Sequence, residues 1–323
     1  MDPDEPVITW LLEGNEPSVR ARVLRELLDR PENDAEVIAA RTEVGKKGWA
    51  AELLRFQLSD GQWVTPGTSM QELYRPKYAA TNWCLLVLAE LGASQSDPRV
   101  AKGAELLLRR ASDPSDDGLG GEGSEVCFTG NCVRMMTQFG YGEDPRVARA
   151  IDWLVTAQKA DGGWHCFPSA TGTLDAWEAL AAFAALPTDH RSSAVREAID
   201  RGLEFFLESG LLREGPEPYA PWLRLHYPTH YYYDALVGLE IVTSLGRGGD
   251  PRLGPALDWL ESKRDPDGRW NLDSLHPDIE VGPEYLGGGV RSPYFPMGLE
   301  YAGRPSRWVT LRALAVLRRA GRD

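Results

Sequence analysis

The sequence predicts an all-α fold in which helical hairpins form two layers, and two observations lead to this prediction. A loop phrase recurs three times, and charged and apolar helical stretches alternate between its copies. The copies run from Gln57 to Trp63, from Gln158 to Trp164 and from Lys263 to Trp270. Each turns on Asp-Gly and closes with Trp, which is typical of a helix-ending turn held by a buried indole. An internal repeat implies repeated structural units, so we expect Trp63, Trp164 and Trp270 to be buried at equivalent turns.

The first helix of each predicted hairpin carries charge on one face. Three of these helices open with Asp-Pro-Arg, at Asp97, Asp144 and Asp250. An Asp before a Pro indicates a helix start, because the carboxylate caps free N–H groups and Pro fits the first helical position. These first helices therefore form an outer, solvated ring.

The second helix of each hairpin is apolar nearly all round, which indicates that neighbours cover it on most sides. Five such stretches can be counted, at residues 80–88, 127–139, 173–180, 231–245 and 308–317. They predict an inner ring of five helices. The stretch 10–28 adds two short helices and is the candidate for a sixth hairpin.

Composition restricts the class of protein. The chain has 323 residues, 42% of them hydrophobic, which suffices for one large core. Its net charge of −13 argues against nucleic acid as a partner. No apolar run reaches the ~20 residues of a membrane span, and the acidic start is the wrong charge for a signal peptide. A cytoplasmic protein with free thiols or thiolate ligands is expected.

With this repeat, the chain resembles the superfamily of prenyltransferases and squalene or oxidosqualene cyclases, the α/α toroids. The similarity spans roughly residues 49–317, and the phrases at 10–20, 127–131 and 163–166 are similar to short single-domain bacterial and archaeal members. The resemblance implies one domain over residues 1–323, with N-terminal helices at 1–48 and the repeats at 49–323. It also implies cyclisation or prenyl transfer on an isoprenoid substrate in a central apolar cavity. The alternative is a non-catalytic toroid that binds an apolar ligand, a metal or a protein partner.

The resemblance also suggests a metal site, because protein prenyltransferases hold zinc with one Asp, one Cys and one His. The candidates here are Cys127, Cys166, Asp175 and His230, with His165 nearby, and zinc or magnesium is the possible cofactor. The chain departs from that pattern, since Asp175-Ala176-Trp177 stands where an Asp-x-Cys pair is expected. The alternative is that the cysteines are small buried hydrophobes without a metal.

Acid catalysis without a metal is the second possibility. Class II terpene cyclases protonate an alkene or epoxide with the middle Asp of an Asp-x-Asp-Asp motif, which this chain lacks; the nearest phrase is at 113–117. A lone acid held neutral by burial is then required, and Asp175 and Asp234 are the candidates. His230 precedes Asp234 by four residues, so a helix places the two side chains on one face, where a purely structural pair is the alternative.

Substrate contacts are predicted where the amino ends of the inner helices converge. A pocket of ~300–1,000 Å³ is expected there, lined by aromatic rings that suit an isoprenoid or a carbocation. We expect a rim of basic residues to bind a diphosphate, and we expect the long connection Asn271–Ser306 to cover the pocket. The predicted lining comprises Trp83, Phe128, Trp177, Tyr231, Tyr233 and Trp308, and the predicted rim comprises Arg75, Lys77, Arg304 and Arg307. Core packing for the rings and solvated charge for the rim are the alternatives.

Overall fold

The computed structural model describes residues 5–63, 73–75, 77–112, 119–120, 124–213, 217–275 and 300–322. Within these ranges the chain is helical, and four isolated bridges are the only extended pairings. The predicted all-α fold is therefore confirmed.

The outer helices alternate with inner helices along the chain, as the sequence pattern predicts. The N-terminal helices are α1 (Glu5–Glu13), α2 (Pro17–Arg22), which continues as a π-helical turn to Leu27, and α3 (Ala35–Glu43). The outer helices are α4 (Gly48–Arg55), α6 (Pro98–Ala111), α8 (Pro145–Thr156), α10 (Ser193–Glu208) and α12 (Gly254–Ser262). The inner helices are α5 (Thr81–Glu90), α7 (Val126–Phe139), α9 (Glu178–Ala185), α11 (Ala235–Val242) and α13 (Arg307–Arg319).

The Asp-Pro-Arg phrases form the same cap three times. The carboxylates of Asp97, Asp144 and Asp250 accept the N–H of the residue two positions on, at 2.9, 2.8 and 3.0 Å. The side chain of that arginine returns to the same carboxylate in each copy. A cap of this kind satisfies a backbone donor that has no partner in the helix. It fixes where α6 and α8 begin, and where the 3₁₀ turn Pro251–Leu253 that leads into α12 begins.

The repeated tryptophans are buried and occupy equivalent turns, as predicted. Trp63, Trp164 and Trp270 are each at most 1% exposed. Their Nε1–H groups donate to the carbonyl ten residues earlier, on Leu53, Leu154 and Leu260, at 2.9, 2.8 and 2.7 Å. Each indole therefore ties the end of an outer helix to the turn that follows it.

The inner helices pack in sequence around a central axis. Consecutive members from α5 to α13 contact one another, and α2 packs against α13. Residues of α2 and α5 both line the central cavity, so α2 acts as the sixth inner helix. The ring has two faces: on the entry face, long connections lead into the inner helices, and on the exit face, short connections lead out of them.

Candidate functional site

Aromatic side chains cluster on the entry face, where the inner helices begin. The ring of Trp83 lies 4.6 Å from that of Tyr74, 5.2 Å from that of Tyr78 and 5.7 Å from that of Tyr231. Phe128 lies at the edge of the group, 6.2 Å from Tyr74. Three of the predicted lining residues, Trp83, Phe128 and Tyr231, therefore come together as expected.

Two residues of this cluster hold an unusual backbone conformation. Tyr78 has φ of +67° and His230 has φ of +49°, a left-handed region that non-glycine residues seldom adopt. Their rings face each other at 5.1 Å, and His230 also lies 5.3 Å from Trp83. Such conformations cost free energy, and in proteins they concentrate at functional sites.

A cation and three phenols form the polar edge of the cluster. Lys77 Nζ donates to the Tyr231 hydroxyl at 3.1 Å, and that hydroxyl lies 2.9 Å from the hydroxyl of Tyr78. Tyr231 also donates to Tyr232 at 3.3 Å. Lys77 thus contacts the cluster, while its predicted companion Arg75 is exposed.

The two candidate cysteines are adjacent beside this cluster. The backbone N–H of Cys127 donates to Cys166 Sγ at 3.3 Å, and both residues are free thiols. A hydrogen bond to the Cys166 thiol, together with burial, raises the pKa of Cys127 above its ordinary value. The thiols therefore meet, as the sequence predicts for adjacent inner-helix starts.

The other proposed metal ligands do not join them. Asp175 is exposed and accepts a hydrogen bond from Trp222 Nε1 at 3.1 Å, and His230 is buried among aromatic rings. Among the described residues, no three His, Cys, Asp or Glu side chains converge in a way that holds a metal. The two thiols alone do not complete a tetrahedral zinc site, which needs four ligands.

Asp234 has a different partner from the one predicted. Its carboxylate accepts the N–H of Val237 at 2.9 Å as the N-cap of α11, and it lies 2.7 Å from His226 Nδ1. Residues 230–234 precede the helix, so the four-residue spacing does not bring His230 to Asp234. Although burial opposes ionisation, the charge and hydrogen bond of His226 lower the pKa of Asp234. Asp234 is therefore a carboxylate, not the neutral acid that the sequence suggested.

Glu178 lies in the buried environment, unfavourable to a charged carboxylate, that was expected for Asp175 or Asp234. It is the first residue of α9, it is 0% exposed, and neither carboxyl oxygen has a hydrogen-bond partner among the described residues. Burial, and secondarily the nearby Cys127, raise its pKa well above the ordinary value for Glu. Burial in this way disfavours the charged form, so the carboxyl group keeps its proton to higher pH than an ordinary Glu and can donate it.

Close packing of two inner helices creates this environment. Gly130 of α7 faces Glu178, and a Cβ at Gly130 would lie 2.5 Å from the Glu178 carbonyl carbon. Only glycine permits this approach. The α7 backbone therefore packs directly against the first residue of α9. The carboxyl group of Glu178 lies near enough to Tyr74 for its charge to affect the phenol.

The remaining predicted residues lie elsewhere. Tyr233 packs on Trp222 at 5.0 Å and donates to the Leu211 carbonyl, so it belongs to the core. Arg304 is exposed, and Arg307 lies 4.6 Å above the ring of Trp10. These arginines do not join Lys77 in a common rim in the described part of the chain. Most of the connection Asn271–Ser306, the predicted cover, lies outside the described residues, as does the 113–117 phrase.

The central cavity of the ring differs from the predicted apolar pocket. Its volume is about 1390 Å³, and it is lined mainly by residues from the carboxyl-terminal halves of α5, α7, α9 and α11, with charged side chains that include Arg312 near the middle of α13. Trp177 and Trp308, two predicted lining residues, contribute to its walls. It follows that the cavity extends toward the exit face, while the aromatic cluster occupies the entry face.

Several site residues escaped sequence reasoning. Glu178 sits inside an apolar helix, where its single charge is the signal, and Tyr74 precedes the first inner helix without any repeated motif. Tyr78 and His226 also precede inner helices, and the sequence gives neither a defined role. Their importance depends on contacts between distant parts of the chain.

Comparisons with known proteins agree with this architecture. The family model of the squalene-hopene cyclase C-terminal domain matches residues 119–219, which include Cys127, Cys166 and Glu178. A squalene–hopene cyclase of Zymomonas mobilis is 30% identical over 201 residues, covering 59% of this chain and 27% of that protein. One of Bradyrhizobium diazoefficiens is 26% identical over 209 residues, covering 58% and 30%. The chain thus spans about three tenths of the length of these curated relatives.

Solved structures align with this chain over nearly its whole length. A glycosyl hydrolase family 88 protein from Bacteroides vulgatus matches with a TM-score of 0.51 at 14% identity, covering 100% of this chain and 98% of that one. At this identity the likeness shows the fold alone. The apo type II terpene cyclase MstE from Scytonema matches with a TM-score of 0.49 at 16% identity, covering 100% and 98%.

Together, the fold and the sequence matches support the superfamily that the repeated turns indicated, the squalene-hopene cyclase-like α/α toroids. Within it, the chain is similar to squalene–hopene cyclases over its central part. No helix in the described ranges combines the length and the hydropathy that crossing a bilayer requires.

Proposed function

We propose that this protein cyclises an isoprenoid polyene on the entry face, with Glu178 as the proton donor. The observation that carries the proposal is the fully buried carboxyl group of Glu178, which has no partner in the described structure and a raised pKa. A general acid must hold its proton at the working pH, and burial in an apolar setting is a known way to achieve this.

In the proposed reaction, Glu178 transfers its proton to one carbon of a terminal alkene. The other alkene carbon becomes a carbocation, the next double bond attacks it, and a ring closes. Loss of a proton from the final cation to water ends the reaction, and a proton from solvent restores Glu178. No oxidant or metal is needed.

The aromatic cluster supplies the second requirement of this chemistry. Carbocations are attracted to the faces of aromatic rings. The cluster of Tyr74, Tyr78, Trp83, Phe128 and Tyr231 comes near the acid at Tyr74, whose phenol is affected by the charge of Glu178. Tyr78 has a left-handed backbone conformation, which costs free energy. The surrounding structure therefore fixes the position of its ring against that cost. Cys127 borders both the acid and the cluster.

The test is incubation of the purified protein with squalene and with geranylgeranyl diphosphate, followed by mass spectrometry of the products. We expect cyclic product from wild type and a loss of at least 100-fold in Glu178→Gln, since general acid catalysis contributes ~10²–10⁴-fold. Glu178→Asp should retain part of the activity. Asp175→Asn is the matched control, because Asp175 is an exposed carboxylate near the same helix start.

Product that persists undiminished in Glu178→Gln would refute Glu178 as the acid. The absence of cyclic product from both polyenes would favour the alternative, a toroid that binds an apolar ligand or a partner without catalysis.

A further inference from the structure

The central cavity is lined by an excess of basic groups, in contrast to the rest of the protein. Eight basic and five acidic side chains line it, although the chain as a whole has a net charge of −13. Concave regions lined by one sign of charge concentrate ligands of the opposite sign. None of these residues belongs to the aromatic cluster or to the acid site described above.

Three arginines on different inner helices define the innermost part of this lining. Arg22 ends α2, Arg134 lies on α7, and Arg312 lies on α13 and is 4% exposed. Arg134 and Arg22 also stack on the two tryptophans of the wall, 5.0 Å above Trp177 and 5.1 Å above Trp308.

The acidic side chains near these arginines already form ion pairs with them. Glu240 accepts from Arg22 at 3.0 Å through one oxygen and from Arg312 at 2.8 Å through the other. Glu26 accepts from Arg22 at 2.5 Å through one oxygen and from Arg319 at 2.6 Å through the other. Glu90 binds Arg134 at 3.3 Å through one oxygen, and its second oxygen has no protein partner in the described structure.

The arginines retain donors that the acids do not use. A guanidinium has five N–H donors. Arg312 makes one hydrogen bond, through Nε, and its buried Nη1 has no partner among the described residues. The buried Nε of Arg134 also has none. A buried donor without a partner is costly. Nη2 of Arg312 and Nη1 of Arg134 also lack a partner among the described residues and retain accessible surface, so an acceptor that enters the cavity can reach them.

From this arrangement we propose that the cavity is a binding site for a small molecule bearing a phosphate or diphosphate group. The free donors come from different helices and so approach from different directions. A phosphoryl group offers three or more acceptor oxygens in three dimensions, whereas a carboxylate offers two in one plane. Arginine forks match phosphate oxygens well.

The cavity site is separate from the proposed acid site at Glu178. Its test measures binding of pyrophosphate and does not depend on cyclisation. Isothermal titration calorimetry of wild type with inorganic pyrophosphate should give saturable binding that weakens as salt increases. Citrate at the same ionic strength should bind at least tenfold more weakly. Vesicles of anionic phospholipid, assayed by sedimentation, distinguish a lipid headgroup from a free ligand, and we expect no co-sedimentation.

Arg312→Gln and Arg134→Gln should each weaken pyrophosphate binding at least tenfold. Arg149→Gln, an exposed arginine of α8, controls for the loss of one positive charge and should leave binding unchanged. Circular dichroism melts verify folding, and Arg134→Gln decides the test if Arg312→Gln fails to fold. Absence of saturable binding to wild type, equal binding of citrate, or equal binding by a folded Arg134→Gln variant would overturn the proposal.

Discussion

The side-chain amide of Asn131 donates a hydrogen bond to the backbone carbonyl of His230 at 3.0 Å. The same side chain accepts one from Arg134 at 2.9 Å, on the wall of the central cavity. Trp177, on which Arg134 stacks, donates to the carbonyl of Tyr231 at 3.2 Å. The backbone that carries His230 and Tyr231 into the aromatic cluster is therefore held from the cavity side.

The first prediction concerns this connection. Asn131→Leu should destabilise the protein by about 1–3 kcal/mol, because it removes the buried hydrogen bonds that the amide makes to the His230 carbonyl and to Arg134. Urea denaturation measures the change. A loss comparable to that of an exposed substitution, under about 0.5 kcal/mol, would show that water replaces the amide.

A second prediction concerns the repeated indoles. Replacing Trp63, Trp164 or Trp270 by Ala should cost about 3–5 kcal/mol each, since each ring is fully buried. Replacement by Phe retains most of the packing but removes the Nε1 donor, so it should cost less. Chemical denaturation of the paired variants separates the two contributions. Equal losses for Phe and Ala would contradict the packing argument.

A third prediction concerns the two thiols. A hydrogen bond to Cys166 raises the pKa of Cys127, so Cys166→Ala should lower that pKa and accelerate alkylation of Cys127 by iodoacetamide. Peptide mass spectrometry at several pH values gives the rate for each cysteine. Cys132 is the internal control, because burial alone raises its pKa to about 12. An unchanged pH profile for Cys127 would refute the coupling.

The fourth prediction gives a pH dependence. Burial opposes ionisation of Glu240, but the charges of Arg312 and Arg22 outweigh it and lower the pKa of Glu240 to about 2. Because this folded-state pKa lies below the unfolded value, the stabilisation is present at neutral pH and is lost as the pH falls from about 4.5 toward 2.

Glu240→Gln should therefore flatten the acid limb of the stability curve. It should also cost about 3–5 kcal/mol at pH 7, since it leaves buried guanidinium charges without compensation. Denaturation midpoints of both proteins between pH 3 and pH 8 provide the check, with Glu197→Gln, at an exposed position of α10, as the control. An identical acid limb in wild type and Glu240→Gln would exclude this linkage.

Local signals explain why much of the fold follows from the sequence. The caps at Asp97, Asp144 and Asp250 and the turns at the three tryptophans depend on residues within about ten positions of one another. Helical periodicity then separates the outer ring from the inner ring.

The candidate site depends on contacts that no local pattern records. The four-residue spacing of His230 and Asp234 implies a shared helical face only if both lie in a helix, and α11 begins at Ala235. His226 therefore takes the place expected of His230. The state of Glu178 depends on the approach of Gly130 from another helix, and the cavity charges meet only when the ring closes.

The last prediction separates function from stability at Glu178. A buried carboxyl without a hydrogen-bond partner is unfavourable, so Glu178→Met, which keeps the length and removes the polar atoms, should stabilise the protein by about 1–2 kcal/mol at pH 7. Burial raises the folded-state pKa of Glu178 above its unfolded value. Linkage then requires that wild type lose stability relative to Glu178→Met as the pH rises toward that folded-state pKa.

Urea denaturation of both proteins from pH 5 to pH 9 tests this, and Glu125→Met, at an exposed position near the same face, serves as the control. A variant that is more stable but forms no cyclic product indicates a residue retained for chemistry, whereas a destabilised variant would indicate that Glu178 is a structural group.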